Sequence, residues 1–271
     1  MKPILVGAVI YDPKVAVIWD IIGRYFAAKG CPIDCVYYTN YELMVTALAA
    51  GHIDIAWNSP LAWVDAQRRT HDGCRAIAMR DTDRDRVSHL VVPKAKGYRS
   101  LADLRKATIA TGALDSPQAT LIPLQVLRRE GLQPGRDFTL KRFDVLVGKH
   151  GDHVGGERDA LESVKKGEAQ ACCVLDLNWQ LWSTDGTVDG SKFEVLATTP
   201  RFDHCNFTVL KSFDAAREKA WTEVLMSMSY DNPDHREMMD LEGLKAWLPG
   251  RTTGYATLEE ACREQGFFEG R

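Results

Sequence analysis

The chain has 271 residues, a net charge of −3, 45% hydrophobic residues and 26% charged ones, the composition of an ordinary soluble globular protein with material for one large domain or two of about 100 to 150 residues. It has no basic run to mark a nucleic-acid partner, and no apolar run approaches the roughly 18 to 20 residues that cross a bilayer. Seven cysteines, an odd number with Cys172 and Cys173 adjacent and no Cys-x-x-Cys pair, point to neither a disulfide framework nor a zinc ribbon.

The first segment, MKPILVGAVIYDPK, reads as a strand, Ile4 to Ile10. Its apolar run is broken by Gly7 and closed by Tyr11, Asp12 and Pro13, unlike the longer apolar region and small-residue cleavage site of a secretory leader. On that reading the protein is cytoplasmic, or periplasmic if a leader has been removed. Val17, Ile18, Ile21, Ile22, Tyr25 and Phe26 recur at helical spacing before Gly30. A strand from Ile33 to Tyr38 follows, then a helix capped by Asn40 and closed by Gly51. With Ile53 to Trp57 as the next strand, the first sixty residues read βαβαβ, the pattern of a parallel sheet covered by helices.

That third strand stops abruptly in DIAWNSPLAWVDA, Asp54 to Ala66. Asn58 or Ser59 offers a side-chain oxygen as helix cap, and Pro60 takes the first helical position, where its missing N–H costs nothing. Such a helix start carries roughly half a positive charge and unpaired donors, a potential site for an anion or polar ligand. Strands at Cys74 to Met79 and Ser88 to Val92 flank the charged turn Asp81 to Arg86. After a short helix, Leu101 to Leu104, the same grammar returns. The strand Thr108 to Thr111 leads through Gly112 to Asp115 or Ser116 as cap and Pro117 as first helical residue, with the helix running to Arg129.

A strand from Phe138 to Phe143, a glycine-rich loop from Gly148 to Gly156, a helix from Arg158 to Lys166 and a strand from Ala169 to Leu175 complete this second unit. Strands at Phe193 to Ala197 and Phe207 to Leu210 bring the chain back. Ala215 to Met228 reads as an amphipathic helix, and the tail helices from Asp234 to Trp247 and Leu258 to Gln265 are expected to cover the first lobe. The predicted lobes are residues 1–87 with 200–271, and residues 88–199. Hinge strands are predicted near Ser88 to Pro93 and Pro200 to Leu210.

Five stretches, YELMVTALAAGHIDIAWNSPLAWV, YRSLADLRKATIATG, LIPLQVLRREGLQPGRDF, DALESVKKGEAQACCV and LKAWLPGRTTGYATLEEACREQGFF, together spanning nearly the whole chain, resemble the phosphate, phosphite and phosphonate substrate-binding proteins of ABC transporters. The resemblance implies an α/β, two-lobed type II periplasmic-binding-protein-like fold, each lobe a mostly parallel sheet flanked by helices, with a ligand cleft between the lobes. In that family the second-lobe helix opens with small hydroxyls and glycines that grip phosphoryl oxygens. Here the matching positions are Ser116, Pro117, Gln118 and Ala119. Where the family has a serine, histidine and aspartate turn, this chain has Glu157, Arg158 and Asp159 after an insertion, and a glutamate there repels a dianion.

The residues expected to meet ligand begin with Tyr11, Trp57, Asn58 and Ser59 in the first lobe. Those of the second are Asp115, Ser116 and Gln118, then Arg158, Asp176 and Trp179. Tyr11, Trp57 and Trp179 follow strand ends, where the crevice of an open parallel sheet lies, while Trp63 and Trp182 read equally as packing. Aromatic walls suit a planar ring or a cation, a helix start suits an anion.

Two further groups bear on chemistry. His150, Asp152 and His153 in the inserted loop, with Glu157, are a candidate site for a divalent metal, the one cofactor considered, or a polar lid. Asp203, His204 and Cys205 place acid, base and nucleophile in sequence, although neighbours on a strand point to opposite faces. The main expectation is a binding protein for a small organic ligand, anionic and aromatic or cationic, with no nucleic-acid partner, no membrane segment, and, lacking a leader, no support for a transporter partner. The alternative is a cytoplasmic enzyme using His150, His153 and Glu157, or Cys205, on a small heterocyclic substrate.

Overall fold

The computed structural model describes residues 2–151 and 155–270. They form two compact units, the first of residues 1–84 and 203–255, the second of residues 85–202 and 256–271. In chain order the first unit contributes β1 (Ile4–Val9), α1 (Lys14–Ala28), β2 (Ile33–Tyr38), α2 (Tyr41–Ala49), β3 (Ile55–Asn58), α3 (Pro60–Thr70) and β4 (Cys74–Arg80). The second follows with β5 (Ser88–Pro93), β6 (Thr108–Thr111), α4 (Ile122–Arg129), β7 (Thr139–Arg142), α5 (Glu157–Lys165), β8 (Ala171–Leu175), α6 (Asp176–Thr184) and β9 (Phe193–Thr198). The chain returns to the first unit through β10 (Asn206–Leu210), α7 (Ala215–Met226), α8 (Pro233–Glu242) and β11 (Trp247–Pro249), and ends with α9 (Ala256–Glu264) in the second.

Each unit is built on one mixed sheet. In the first the strand order is β11-β4-β10-β3-β1-β2, and in the second β7-β6-β8-β5-β9. Parallel pairing is confined to β2-β1-β3 and to β7-β6-β8, where helices connect successive strands. The returning strand β10 inserts antiparallel between β3 and β4, and β5 inserts antiparallel between β8 and β9. The sheets are therefore mixed, not mostly parallel, because the strands that enter each unit from the other run against the βαβ set.

Strand alternation decides what each residue does. On β3, Ile55 and Trp57 face the core that α1 covers with Val15, Ile18, Trp19, Ile22 and Phe26, while Ala56 and Asn58 face the other way. Trp57, expected at a ligand mouth, is buried at 8% exposure. Its ring lies 4.4 Å from that of Phe207 and 6.0 Å from that of Trp247, with the Arg80 guanidinium 5.3 Å from its centroid. In the second unit the adjacent thiols divide in the same way, Cys173 in the core layer of Leu90, Ile109 and Leu127, and Cys172 in that of Val91, Leu161 and Trp182.

The last helix sits with the second unit rather than the first, to which the sequence assigned it. Arg129 on α4 reaches Glu260 and Glu264 on α9 at 2.7 Å each, and Gln265 Nε2 donates to the Leu121 carbonyl at 2.8 Å. Trp57→Ala is expected to lower unfolding free energy by about 3 to 5 kcal/mol as a large core truncation, read by urea titration. Unchanged stability would return Trp57 to the surface role expected from sequence.

Candidate functional site

Both proline-led helix starts form as the sequence implies, and in both the serine is the cap. Ser59 Oγ accepts from Ala62 N at 3.1 Å and the Ser59 carbonyl accepts from Trp63 N at 2.9 Å. Pro60 has no N–H, so these bonds leave over the Leu61 amide. In the second unit Ser116 Oγ accepts from Ala119 N at 3.2 Å, and the Ser116 carbonyl takes both Thr120 N and Leu121 N, at 3.1 and 3.0 Å. The amide left over there is that of Gln118. This first turn, Pro117–Leu121, is a π-turn. Pro123 cannot donate to the Ala119 carbonyl, which accepts from Gly112 N instead, and the wider turn accommodates the loss.

Around the first start the polar groups are buried and linked. Asn58 Nδ2 donates to Thr208 Oγ1 at 2.8 Å, Thr208 donates to Asn206 Oδ1 at 2.6 Å, and Asn206 Nδ2 donates to Tyr255 Oη at 2.8 Å. Asn58 Oδ1, on a fully buried residue, has no partner among the described residues. Thr208 and Asn206 were not foreseen; only the pairing of β10 against β3, which sets Asn206 opposite Asn58, brings them here. Tyr11 is half-buried and packs on the core of this unit.

Around the second start lies a carboxylate that sequence reasoning placed but did not expect to find sealed. Glu157 is fully buried. Gly156 before it stands at φ 87°, where a Cβ would fall 2.1 Å from the Phe143 carbonyl oxygen, so only glycine lets the chain turn Glu157 inward. Glu157 Oε2 accepts from Leu175 N at 2.8 Å and Asn178 Nδ2 at 3.0 Å, and Oε1 accepts from Gln118 Nε2 at 3.3 Å. Gln118 Nε2 also donates to the Gly151 carbonyl at 3.2 Å. Burial raises the Glu157 pKa to about 7 despite the opposing bonds from Asn178, Leu175 and Gln118, and the Asp176 charge adds to the rise. Asn178 was missed because α6 was not foreseen after β8.

The other expected contacts separate. Asp115 is buried, its Oδ2 accepting from Gly148 N at 2.6 Å. Arg158 is exposed, one helical step round from the buried Glu157. Asp176 pairs with Arg86 at 3.4 Å, and Trp179 is half-buried against the core of Trp182. His150 is half-buried in a left-handed conformation; Asp152 and His153, the rest of the proposed metal set, lie outside the described residues.

His204 and Cys205 meet, although neighbours on a strand would not. Residues 203–205 precede β10 as irregular chain, and His204 Nδ1 lies 3.1 Å from Cys205 Sγ. Their carboxylate is Asp83, not Asp203, which forms a two-bond pair with Arg251 at 2.6 Å each. Asp83, His204 and Cys205 bring ligand atoms within 4.8 Å of one another. A cation does not fit there, because both Asp83 oxygens already hold Arg80, at 2.7 Å each. Burial alone would raise the Asp83 pKa, but the charge and hydrogen bonds of Arg80, aided by His204, hold it well below the usual carboxylate range. Cys205, at 4% exposure, is part of a sealed ion-paired cluster rather than an open nucleophile.

Over residues 11–255 the chain matches the family of periplasmic substrate-binding proteins of phosphonate ABC transporters. It belongs to that family. The probable ABC transporter phosphite binding protein PhnD1 of Prochlorococcus marinus is 23% identical over 241 residues, 83% of this chain and 76% of the relative. The structure of PhnD1 with methylphosphonate superposes with a TM-score of 0.74 at 19% identity, covering 98% of each chain. XAC2383 from Xanthomonas citri, bound to ATP, gives 0.74 at 16% identity over 100% of both chains. Likenesses at such identities establish the type II periplasmic-binding-protein fold. The family is one of periplasmic proteins, so the cytoplasmic expectation finds no support and the periplasmic alternative does; the enzymatic alternative gains none.

Two stability measurements test these clusters. Asp83→Asn is expected to cost about 3 to 5 kcal/mol, the penalty for leaving Arg80 buried without its counter-charge; a loss below about 1 kcal/mol would show that the pair is dispensable. The sign for Glu157 is opposite. Its folded pKa is raised, so the folded state binds more protons than the unfolded state between about pH 4.5 and 7 and stability falls as pH rises through that window. Glu157→Gln is therefore expected to be more stable than wild type above pH 7, by on the order of 3 kcal/mol, and to lose that advantage by about pH 4.5. An advantage independent of pH would mean that the carboxyl stays in one protonation state.

Proposed function

We propose that this protein is a substrate-binding protein for a small organic anion of the phosphonate or sulfonate type, recognised at a helix start of the kind each unit carries. The observation that carries the reading is the recurrence of one construction in both units. A strand end, a buried serine cap and a proline at the first helical position leave one directed amide each, at Leu61 and Gln118. A helix N-terminus favours negative charge by about 0.3 to 2 kcal/mol, and such a start, with Asn58 and Ser59 beside it in the first unit and Ser116 beside it in the second, suits a compact oxyanion better than a planar ring. The burial of Trp57 removes the main aromatic wall on which a cation or ring was expected. Delivery to an ABC transporter from the periplasm accompanies this reading, as the family implies.

The test is a ligand panel, methylphosphonate, phosphite and ethanesulfonate, scored by calorimetry and by thermal shift. Ser59→Ala and Ser116→Ala each remove a cap, costing about 0.5 to 2 kcal/mol of stability, and each is expected to weaken the best panel ligand beyond what that loss explains. If no panel member binds the wild-type protein, the reading is wrong.

A further inference from the structure

We propose that the second unit carries a separate pocket for a small organic dianion with an apolar body, of the aryl phosphate kind, between the end of β5, the end of α5 and the start of β9. The pocket has a volume of about 510 Å³, inside the roughly 300 to 1,000 Å³ range of small-molecule sites. Pro93, Val164 and Phe193 give it an apolar floor, and of these Val164 and Phe193 are buried. Its rim is cationic. Lys94, Lys96, Lys165, Lys166 and Lys192 line it, all exposed, and no acidic residue does. None of these residues belongs to either proline-led helix start, so the pocket stands apart from the site proposed above.

Three separate segments bring the cations together. Pro93 ends β5, and the Lys94 amide donates to the Lys192 carbonyl at 2.8 Å, which sets the segment PKAKG beside the start of β9. Lys94–Lys96 forms one tight turn closed by Gly97 at φ 64°. Lys165 and Lys166 stand at the end of α5, where a cation complements the helix dipole, and Gly167 at φ 77° turns the chain away. The dipole accounts for those two lysines. It gives no reason for Lys94, Lys96 and Lys192 to gather beside them. Charges of one sign set around a low-dielectric wall focus their field and concentrate counter-ions there.

The five ammonium groups fall into two sets. Three are committed to the protein. Lys94 Nζ donates to the Gly190 carbonyl at 2.8 Å, Lys165 Nζ to Glu162 Oε1 at 2.6 Å and to the Thr187 carbonyl at 3.2 Å, and Lys192 Nζ lies 3.3 Å from Asp189 Oδ2. Lys96 and Lys166 have no side-chain hydrogen bond or ion pair among the described residues. Glu168, the acid on which Lys166 acts at longer range, is bonded to Lys141 at 2.6 Å. Glu194 follows Phe193 on β9, and strand alternation turns it to the other face of the sheet. Two uncommitted cations match the two charges of a dianion. The floor then selects an organic one, since a ring laid on Val164 and Phe193 removes apolar surface from water, a gain that inorganic phosphate lacks.

The probe is 1-naphthyl phosphate, titrated by calorimetry into the full chain beside its two halves, 1-naphthol and inorganic phosphate. The whole probe is expected to bind at least about tenfold more tightly than either half. It is also expected to protect Lys96 and Lys166 from acetylation, read by peptide mass spectrometry, while Lys219, exposed in the first unit, labels as before. Replacing both free cations, Lys96→Ala with Lys166→Ala, should weaken the probe by about tenfold or more. Ala95→Asp, at an exposed position of the same lining, sets a carboxylate among the lysines and should weaken it as well. The proposal is overturned if the probe does not bind, if inorganic phosphate binds as tightly, or if variants that melt like wild type keep full affinity. Binding that leaves acetylation of Lys96 and Lys166 unchanged places the probe elsewhere, as at a helix start, and overturns the proposal too.

Discussion

Two prolines set the geometry on which both candidate ligand elements depend. Pro60 and Pro117 stand at the first helical position, where fixed φ suits the helix and the absent N–H is no loss. The serine before each then takes the third amide through Oγ and the fourth through its carbonyl, so one directed amide remains at each start. Without the proline two adjacent amides would open each helix; without the serine none would be aimed. The second start carries the argument a step further. Pro123 also withholds a donor, the Ala119 carbonyl turns to Gly112, and the widened first turn sets Gln118 against Glu157. Local backbone chemistry thus determines which side chain stands beside the second helix start.

The same network logic separates the two polar clusters by purpose. Asp83 is saturated, holding Arg80 through both oxygens and accepting from the Cys205 amide at 3.1 Å. Its charge is matched, and the cluster ties the end of β4 to the chain entering β10 and, through Arg80 and the Glu242 carbonyl at 2.8 Å, to the end of α8. Glu157 has no such counter-charge among the described residues. A buried carboxylate held by neutral donors is costly as a structural device, so the two clusters differ in what they contribute to stability.

Much of the architecture was legible in the sequence because it rests on short-range rules. Asn40, Ser59 and Ser116 each accept from the amide three residues on, and βα alternation gave the parallel part of both sheets. What was not legible depends on long-range pairing. That β10 slots between β3 and β4 brings Phe207 against Trp57 and Asn206 opposite Asn58, turning an expected wall residue into core and adding two polar groups to the first start. The meeting of His204 with Asp83 rather than Asp203 requires irregular chain where a strand was assumed. Arg158 and Glu157 illustrate the limit most directly. One residue of register decides which of two neighbours is sealed and which is in water, and Gly156, in a conformation few other residues adopt, makes the decision.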